Sequence, residues 1–262
     1  MKEAVTLLHG FTLNAHSWDE LVPKLASRLG EGWKLITPDL RGHGSAPTTP
    51  CAMEDCAADL VALWDHLGIE RSHVVGYSMG GRLALHVAVR LPERTRSLLT
   101  IGAHAGLDPT ARVARRQADE QLAQRIEGEG VEAFVDYWSS LPMFAGIARR
   151  SPEFGAWLRG LRMSNTGAGL ATSLRDMGAG AMEPLWDELT NITFPSTFAA
   201  GDADHAFVEP ARLMAERVRG SRVRTVGDSG HAAQFEQPDA TARLLADHLR
   251  WAATGDSSST TD

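Results

Sequence analysis

Short apolar runs alternate with longer amphipathic stretches along most of the chain. The stretches between the runs, such as Met53–Leu67 and Gly81–Arg90, carry apolar residues at helical spacing. This alternation predicts an α/β fold in which a mostly parallel, twisted sheet has helices on both faces. The runs predicted as strands are Ala4–Leu8, Lys34–Thr37, His73–Gly76, Ser97–Ile101, Thr197–Ala200 and Arg222–Val226.

The alternation stops between residues 107 and 190, where helical patterns and glycine-rich joints replace it, as in "RRQADEQLAQRIEGEG" and "GAWLRGLRMSNTGAG". This segment is predicted to form a helical cap above the sheet. The core would then consist of residues 1–106 and 191–252. The last residues, 253–262, are small and polar ("ATGDSSSTTD"), which predicts a disordered tail.

Composition and charge indicate which kinds of binding partner to expect. The chain has 262 residues, 43% of them hydrophobic, and a formal net charge of −7, which gives no reason to expect a nucleic acid or an anionic membrane as partner. Two cysteines suit a reducing compartment, and the apolar stretch Ala4–Leu8 is too short for the core of a signal peptide. We therefore expect a cytoplasmic protein and leave its oligomeric state open.

A serine lies where a strand is predicted to turn into a helix. In "VVGYSMGGRLALHVAVR", residues 74–90, Ser78 is the centre of a G-x-S-x-G sequence between an apolar strand and an apolar helix. The glycines permit a sharp turn that exposes the hydroxyl, as in a nucleophile elbow. A plain glycine-rich connection is the alternative, but the strand–turn–helix context favours a reactive serine.

A reactive serine needs a base and a group that orients the base. His231 lies in "TVGDSGHAAQFEQPD" after the last predicted strand, and Asp204 lies in "FAAGDADHAF" after the strand before it. The order of these three residues, serine, aspartate and histidine, is the order found in α/β-hydrolases. Asp202 competes with Asp204 for the orienting role, whereas His205 precedes the last strand and is rejected as the base.

Backbone amides near the serine are candidates for an oxyanion hole. The "HGF" sequence turns the chain after the first strand, so that the N–H of Phe11 can point at the reacting centre, and the N–H of Met79 would be its companion. The loop "DLRGHGSA", residues 39–46, follows the second predicted strand. It fits a structural turn and a substrate contact equally well.

These motifs together resemble those of the α/β-hydrolase superfamily over nearly the whole chain. The sequences "HGF", "PDLRGHGSA", "GYSMGG", "GDADHAF" and "SGHAAQFEQP" occur in that family's order. The resemblance implies the α/β-hydrolase fold. It does not imply one reaction, because esterases, thioesterases, C–C hydrolases and some lyases share the fold and the three residues.

Arginines distinguish this chain from a simple esterase. Arg82 is four residues after Ser78, so both lie on one face of the predicted helix. A buried guanidinium needs an anionic partner, which is either a protein carboxylate or the substrate. In the cap, Arg115 precedes Asp119 by four residues and Arg162 precedes a Ser-Asn-Thr-Gly turn. Taken alone, each cap arginine fits a solvated surface position.

A closer resemblance includes the cap. The sequences "GYSMGGRLALH", "GAHAGLDP", "YWSSLPMFA" and "LRMSNTGAGLATSLRDMG" are similar to those of the 2-succinyl-6-hydroxy-2,4-cyclohexadiene-1-carboxylate synthase family, lyases of menaquinone biosynthesis. One departure is Ala206, where the family often has lysine. The resemblance implies a catalytic triad of Ser78, Asp204 and His231, and a polycarboxylate site built from Tyr77, Arg82, Arg115, Trp138 and Arg162.

The same resemblance implies the reaction. The family's substrate carries three carboxylates, and pyruvate is eliminated from it after proton abstraction, without an acyl-enzyme and without a metal or organic cofactor. A serine carboxylesterase, thioesterase or C–C hydrolase acting through an acyl-enzyme is the main alternative. A non-catalytic binding protein of the same fold is a second, and the complete set of Ser, Asp and His disfavours it.

Overall fold

Six parallel strands form one sheet in the computed structural model, which describes residues 3–255. The sheet order is β2-β1-β3-β4-β5-β6, and every neighbouring pair in it is parallel. All six predicted runs are strands, so the predicted fold class is confirmed. The strands are β1 (Glu3–Leu8), β2 (Trp33–Ile36), β3 (Ser72–Tyr77), β4 (Thr95–Ile101), β5 (Ser196–Gly201) and β6 (Arg222–Val226).

Helices connect the strands and cover both faces of the sheet. Short 3₁₀ helices lie at Ala15–Trp18, Pro92–Arg94, Pro142–Arg149 and Leu189–Asn191. Among residues 3–255, no helix is both long and apolar enough to cross a membrane. The α-helices are α1 (Leu21–Leu29), α2 (Met53–His66), α3 (Met79–Arg90), α4 (Pro109–Ser139), α5 (Pro152–Met163), α6 (Gly167–Met177), α7 (His205–Arg217), α8 (Ala233–Glu236) and α9 (Pro238–Gly255).

The central strand β3 is buried along its whole length, which explains why apolar residues follow Ser72 and His73 in its sequence. Val74 packs in a cluster with residues of α2, α3 and α7, whereas Val75 packs in a second cluster with residues of α1 and α9. Because successive side chains of a strand point to opposite faces, one short run supports both layers. The sheet is therefore held rigidly between helices, and its strand ends are fixed positions for a site.

Residues 102–195, between β4 and β5, form helices, turns and irregular segments but no strand. Helix α4 bends at Gly130, whose φ of 87° is left-handed, and α4 and α6 share a small apolar cluster around Phe134 and Leu170. The exact boundaries of the cap, 107 and 190, stay a prediction. At the other end, α9 includes the first three residues of the predicted tail, and residues 256–262 lie outside the described part.

Candidate active site

Ser78 forms the turn between β3 and α3 in a strained backbone conformation. Its φ of 53° and ψ of −110° are unusual for a residue with a side chain, and such strain costs about 1–3 kcal/mol. A Cβ on Gly76 would lie 2.2 Å from the carbonyl oxygen of Gly80, and a Cβ on Gly80 would lie 2.3 Å from that of Leu8. Glycine is therefore required on both sides of the serine.

The three residues predicted as a triad are joined by hydrogen bonds. His231 Nε2 lies 3.0 Å from Ser78 Oγ, and His231 Nδ1 lies 2.8 Å from Asp204 Oδ2. An ionised carboxylate accepts the Nδ1 proton, which leaves Nε2 unprotonated and able to take the serine proton. His231 and Asp204 are both buried, with 2% and 7% of their surface exposed. The arrangement can activate a hydroxyl as a nucleophile or as a base.

Asp202, the competitor of Asp204, has a different task. Its carboxylate accepts the backbone N–H groups of Asp228 and Ser229, each at 3.1 Å, and these bonds lower the pKa of Asp202. Both donors belong to the loop that leads to His231. Asp202 therefore fixes the loop, while Asp204 contacts the imidazole.

Aromatic side chains surround the imidazole. The ring centroid of His231 lies 4.6 Å from that of Phe207, 5.3 Å from that of Tyr77 and 6.3 Å from that of Phe144. These contacts restrict the rotation of the ring about its side-chain bonds. The same three aromatic rings also keep bulk water from one side of His231.

A cavity of about 500 Å³ lies between the carboxyl edge of the sheet and the cap helices. Its volume is in the range of small-molecule sites. Every side chain that the sequence analysis singled out for the site contributes to its lining: Phe11, Tyr77, Ser78, Met79, Arg82, Arg115, Trp138, Arg162, Asp204 and His231. Because the sheet is parallel, the loops after β1, β3, β5 and β6 all meet at this edge.

The amide groups predicted as an oxyanion hole lie at the floor of the cavity. Met79 is the first residue of α3, and the first amides of a helix have no acceptor within the helix. Gly10 precedes Phe11 in the turn after β1, and a Cβ on Gly10 would lie 2.8 Å from the Tyr77 ring. A donor role for the two N–H groups stays a prediction that this arrangement permits.

Arg82 is buried in α3 without a carboxylate. It is 8% exposed, and its Nη2 donates one hydrogen bond of 3.0 Å to the carbonyl oxygen of Met177. In residues 3–255, no carboxylate oxygen lies within 4.0 Å of its guanidinium. Burial lowers the pKa of Arg82 to about 10, with a further lowering by Arg115 and an opposing effect of Asp119. Of the two partners that the sequence left open, a protein carboxylate in direct contact is therefore not found among residues 3–255.

Arg162 is also buried and incompletely paired. Arg162 is 3% exposed, its Nη1 donates to Ser139 Oγ at 2.6 Å, and its guanidinium lies 4.8 Å from the centre of the Phe144 ring. Its buried Nε has no acceptor in the part of the chain that the structure describes. Burial lowers its pKa to about 10. The surface position that its sequence context also allowed is therefore wrong.

Arg115 is the most exposed of the three arginines, with 43% of its side chain accessible. Its Nε donates to Asp119 Oδ1 at 2.8 Å, one helical turn further along α4, and Asp119 is 2% exposed. The buried carboxylate fixes one edge of the guanidinium, while the side chain lines the cavity. The cation is therefore held in place but is not enclosed.

The loop "DLRGHGSA" is a structural turn. Asp39 accepts the backbone N–H groups of Ala15 at 2.7 Å and Ser45 at 2.8 Å, which ties together the loops after β1 and β2. No residue of this loop belongs to the described lining of the cavity. Of the two roles that the sequence allowed for this loop, the contacts support the structural turn and not the substrate contact.

Several lining residues were not identified from the sequence. His104 follows β4, and Phe144, Phe207 and Met177 contribute apolar surface. The sequence offers only their positions as signals: His104 follows a strand, Phe207 lies on α7 of the core, and Phe144 and Met177 lie on helices of the cap. His104 could have been found by the rule that directed attention to Ser78 and His231, namely a polar residue just after a strand.

The family model for the alpha/beta hydrolase fold matches residues 3–238, and the chain belongs to this family. Within it, the chain is similar to proteins named 2-succinyl-6-hydroxy-2,4-cyclohexadiene-1-carboxylate synthase. A Bacillus subtilis (strain 168) relative, to which that name is given provisionally, is 33% identical over 255 residues, 94% of this chain and 90% of its own length. An Enterobacter sp. (strain 638) relative with the same name is 30% identical over 251 residues, 94% of this chain and 91% of its own length.

The structure of MenH from S. aureus has the same fold. Its TM-score is 0.89 at 27% identity, and the match covers 96% of this chain and 94% of that chain. Because the match includes the helical segment between β4 and β5, the resemblance extends beyond the sheet and the triad.

Proposed function

We propose that this protein is a carbon–oxygen lyase of menaquinone biosynthesis. In this proposal it eliminates pyruvate from 2-succinyl-5-enolpyruvyl-6-hydroxy-3-cyclohexene-1-carboxylate and forms 2-succinyl-6-hydroxy-2,4-cyclohexadiene-1-carboxylate. The names and the coverage of the relatives support the reaction. The single observation in the site that carries the proposal is a pair of buried arginines without carboxylate partners beside a complete triad.

The charge of the site matches the charge of this substrate. The substrate has a carboxylate on the ring, one on the enolpyruvyl ether and one on the succinyl chain. Arg82, Arg115 and Arg162 supply three guanidinium groups in one cavity, and guanidinium–carboxylate pairs fix orientation as well as adding binding energy. A neutral ester would leave Arg82 and Arg162 desolvated and unpaired, which is costly. The site therefore favours a small polycarboxylate.

The proposed reaction begins at the ring carbon that bears the succinyl carbonyl, C2. Ser78 Oγ takes the C2 proton while its own proton passes to His231 Nε2, and Asp204 stabilises the resulting imidazolium. The C2–H electrons form the C2=C3 bond and the former C3=C4 electrons form C4=C5. The C5–O bond breaks, and the enolpyruvate that leaves takes up a proton at carbon to become pyruvate. His231 then releases its extra proton to solvent, from which the enolpyruvate takes up its own, and returns to its neutral form.

Negative charge develops on the succinyl carbonyl oxygen as the proton leaves C2. The N–H groups of Phe11 and Met79 are proposed to stabilise this oxygen, and the nearby guanidinium groups add a favourable field in a cavity of low polarity. Ser78 forms no bond to carbon in this scheme. The chemistry uses side chains and backbone amides of this chain alone.

The test is pyruvate release from the enolpyruvyl substrate, followed continuously with lactate dehydrogenase and NADH. We expect release that depends on Ser78 and is lost in Ser78→Ala. Absence of pyruvate release, together with rapid hydrolysis of small anionic esters or thioesters, would instead support the serine hydrolase alternative.

A further inference from the structure

His104 lies in the cavity beside the arginines but has no part in the triad. It follows β4 in the turn Gly102–Gly106, is half-buried, and contributes to the lining together with Arg82 and Arg115. Its ring stacks on Phe207 with centroids 6.1 Å apart and an interplanar angle of 24°. The imidazole therefore stacks on an aromatic ring and lines the same cavity as two cations.

One hydrogen bond fixes which nitrogen of His104 carries the proton. The backbone N–H of Gly106 donates to His104 Nδ1 at 3.0 Å, so Nδ1 supplies a lone pair and cannot bear hydrogen. In a neutral ring, the proton is then on Nε2. Within residues 3–255, no protein acceptor is hydrogen-bonded to Nε2. The ring thus carries a donor that the protein does not use.

The surroundings keep this ring neutral. Burial lowers the pKa of His104 to about 3, and the positive charges of Arg82 and Arg115 act in the same direction. A third cation between two guanidinium groups would add repulsion in the empty site. A neutral N–H donor avoids this repulsion and still satisfies an anion.

We propose that His104 is a substrate-binding residue that donates Nε2–H to one substrate carboxylate, which Arg82 and Arg115 also bind. The inference rests on the proposed function, since it needs a carboxylate substrate. Three groups would then share that carboxylate, two charged and one neutral. The neutral donor selects for an acceptor oxygen at one position without further changing the net charge of the site.

Substitutions of His104 can separate its role as a hydrogen-bond donor to substrate from its role as the acceptor of the Gly106 N–H. In His104→Asn, the side-chain oxygen can replace Nδ1 as acceptor for Gly106 but nothing replaces Nε2–H. In His104→Gln, the side-chain amide can place an N–H near the position of Nε2. His104→Phe keeps the stacking on Phe207 and removes both functions, and His66→Asn on the exposed surface of α2 is the matched control.

Substrate affinity is measured by calorimetry in a Ser78→Ala background, in which the substrate persists. We expect His104→Asn and His104→Phe to weaken binding by about 10- to 100-fold, the range for a lost hydrogen bond to a charged group. His104→Gln should recover most of the affinity, and His66→Asn should match the parent. Circular dichroism and thermal unfolding of each variant check that the fold is intact.

Affinity of His104→Asn equal to that of the parent would overturn the proposal, because the donor would then be unnecessary. Equal losses in the Asn, Gln and Phe variants would also overturn it and assign the imidazole to packing. Failure of the proposed function is distinct, since it would appear in the unsubstituted protein as no pyruvate release. That result would remove the basis of the His104 proposal as well.

Discussion

Arg82 and Met177 are joined by a single hydrogen bond of 3.0 Å from a buried guanidinium to a backbone carbonyl. A carbonyl oxygen offers a dipole where a buried cation requires a full negative charge. The bond also links α3 of the core to the end of α6 in the helical segment. The arginine is therefore positioned by the fold, and no carboxylate among residues 3–255 contacts it directly.

Replacement of Arg82 tests this anion site. Arg82→Ala should lower kcat/KM for the enolpyruvyl substrate by about 30-fold to several thousand-fold, because loss of one partner of a buried charge pair costs about 2–5 kcal/mol. Arg82→Lys should recover part of the loss, since a point charge cannot reproduce the planar guanidinium. Steady-state kinetics with both variants measures these ratios.

Two controls separate binding from folding. Hydrolysis of neutral 4-nitrophenyl acetate should fall far less than turnover of the trianion, and Arg219→Ala, at an exposed position in the turn after α7, should leave both activities unchanged. Thermal unfolding of Arg82→Met should occur at the same or a higher temperature, because an unpaired buried cation is removed. A lower melting temperature with equal loss on both substrates would assign Arg82 to the fold.

The triad predicts a graded series. Ser78→Ala and His231→Ala should each reduce turnover by orders of magnitude without loss of the fold, because the groups act as a unit. Asp204→Asn should also be severe, since an amide cannot stabilise the imidazolium. The rates of pyruvate release by the purified variants provide the measurement.

Asp202→Asn is the matched comparison for Asp204→Asn. It keeps one acceptor oxygen for the loop amides of Asp228 and Ser229, so it should slow pyruvate release only slightly. A severe effect of Asp202→Asn with a mild effect of Asp204→Asn would contradict the assignment of the orienting carboxylate.

The sheet could be predicted because strand signals are local. The β3 run "HVVGY" is mostly apolar and β-branched, as is typical of a strand buried on both faces. Ser78, Asp204 and His231 could be placed together because each follows a strand, and parallel strands bring these positions to one edge. Arg82 followed from helical spacing after Ser78.

The partners of the arginines could not be predicted in the same way. The bond from Arg82 to Met177 joins residues 95 positions apart, and its formation depends on how the cap helices pack. Burial of Arg162 against Phe144 depends on the same packing. Local sequence carries no signal for either contact. The tautomer of His104 could not be predicted either, because it depends on the hydrogen bond from the Gly106 N–H.

Buried His248 should account for part of the decrease in the free energy of unfolding at acid pH. It is buried in α9, where Nδ1 and Nε2 bond the hydroxyls of Thr197 and Ser97, each at 2.9 Å. Burial lowers its pKa to about 3 from the ordinary value near 6.5. The unfolded chain therefore binds a proton below pH 6.5 that the native state refuses, so the stability present above pH 6.5 is lost as the pH falls toward 3.

His248→Gln removes this proton-linked loss. The free energy of unfolding of the parent should fall more steeply between pH 6 and pH 4 than that of the variant, by about 1.4 kcal/mol per pH unit for one proton. Urea unfolding at several pH values measures both slopes, and the values at pH 7.5 provide the baseline. Parallel pH dependences of the two proteins would contradict the prediction.

Elimination predicts that Ser78 is never acylated. Intact-protein mass spectrometry of enzyme quenched during turnover of the enolpyruvyl substrate should therefore show unmodified mass. An activated ester serves as the positive control, because it can acylate the same hydroxyl. A covalent adduct on Ser78 that forms and decays at the rate of turnover of the enolpyruvyl substrate would contradict the lyase mechanism.

The most direct test of the account is the stoichiometry of products formed in ¹⁸O-labelled water. The proposed elimination yields one pyruvate for each cyclohexadiene and introduces no solvent oxygen into the ring product. Mass spectrometry of the ring product and enzymatic assay of pyruvate measure both quantities on the same sample. We expect a ratio of about one and an unlabelled ring product. Release of succinate, or a carboxyl group that carries solvent ¹⁸O, would show cleavage by water and contradict the central claim.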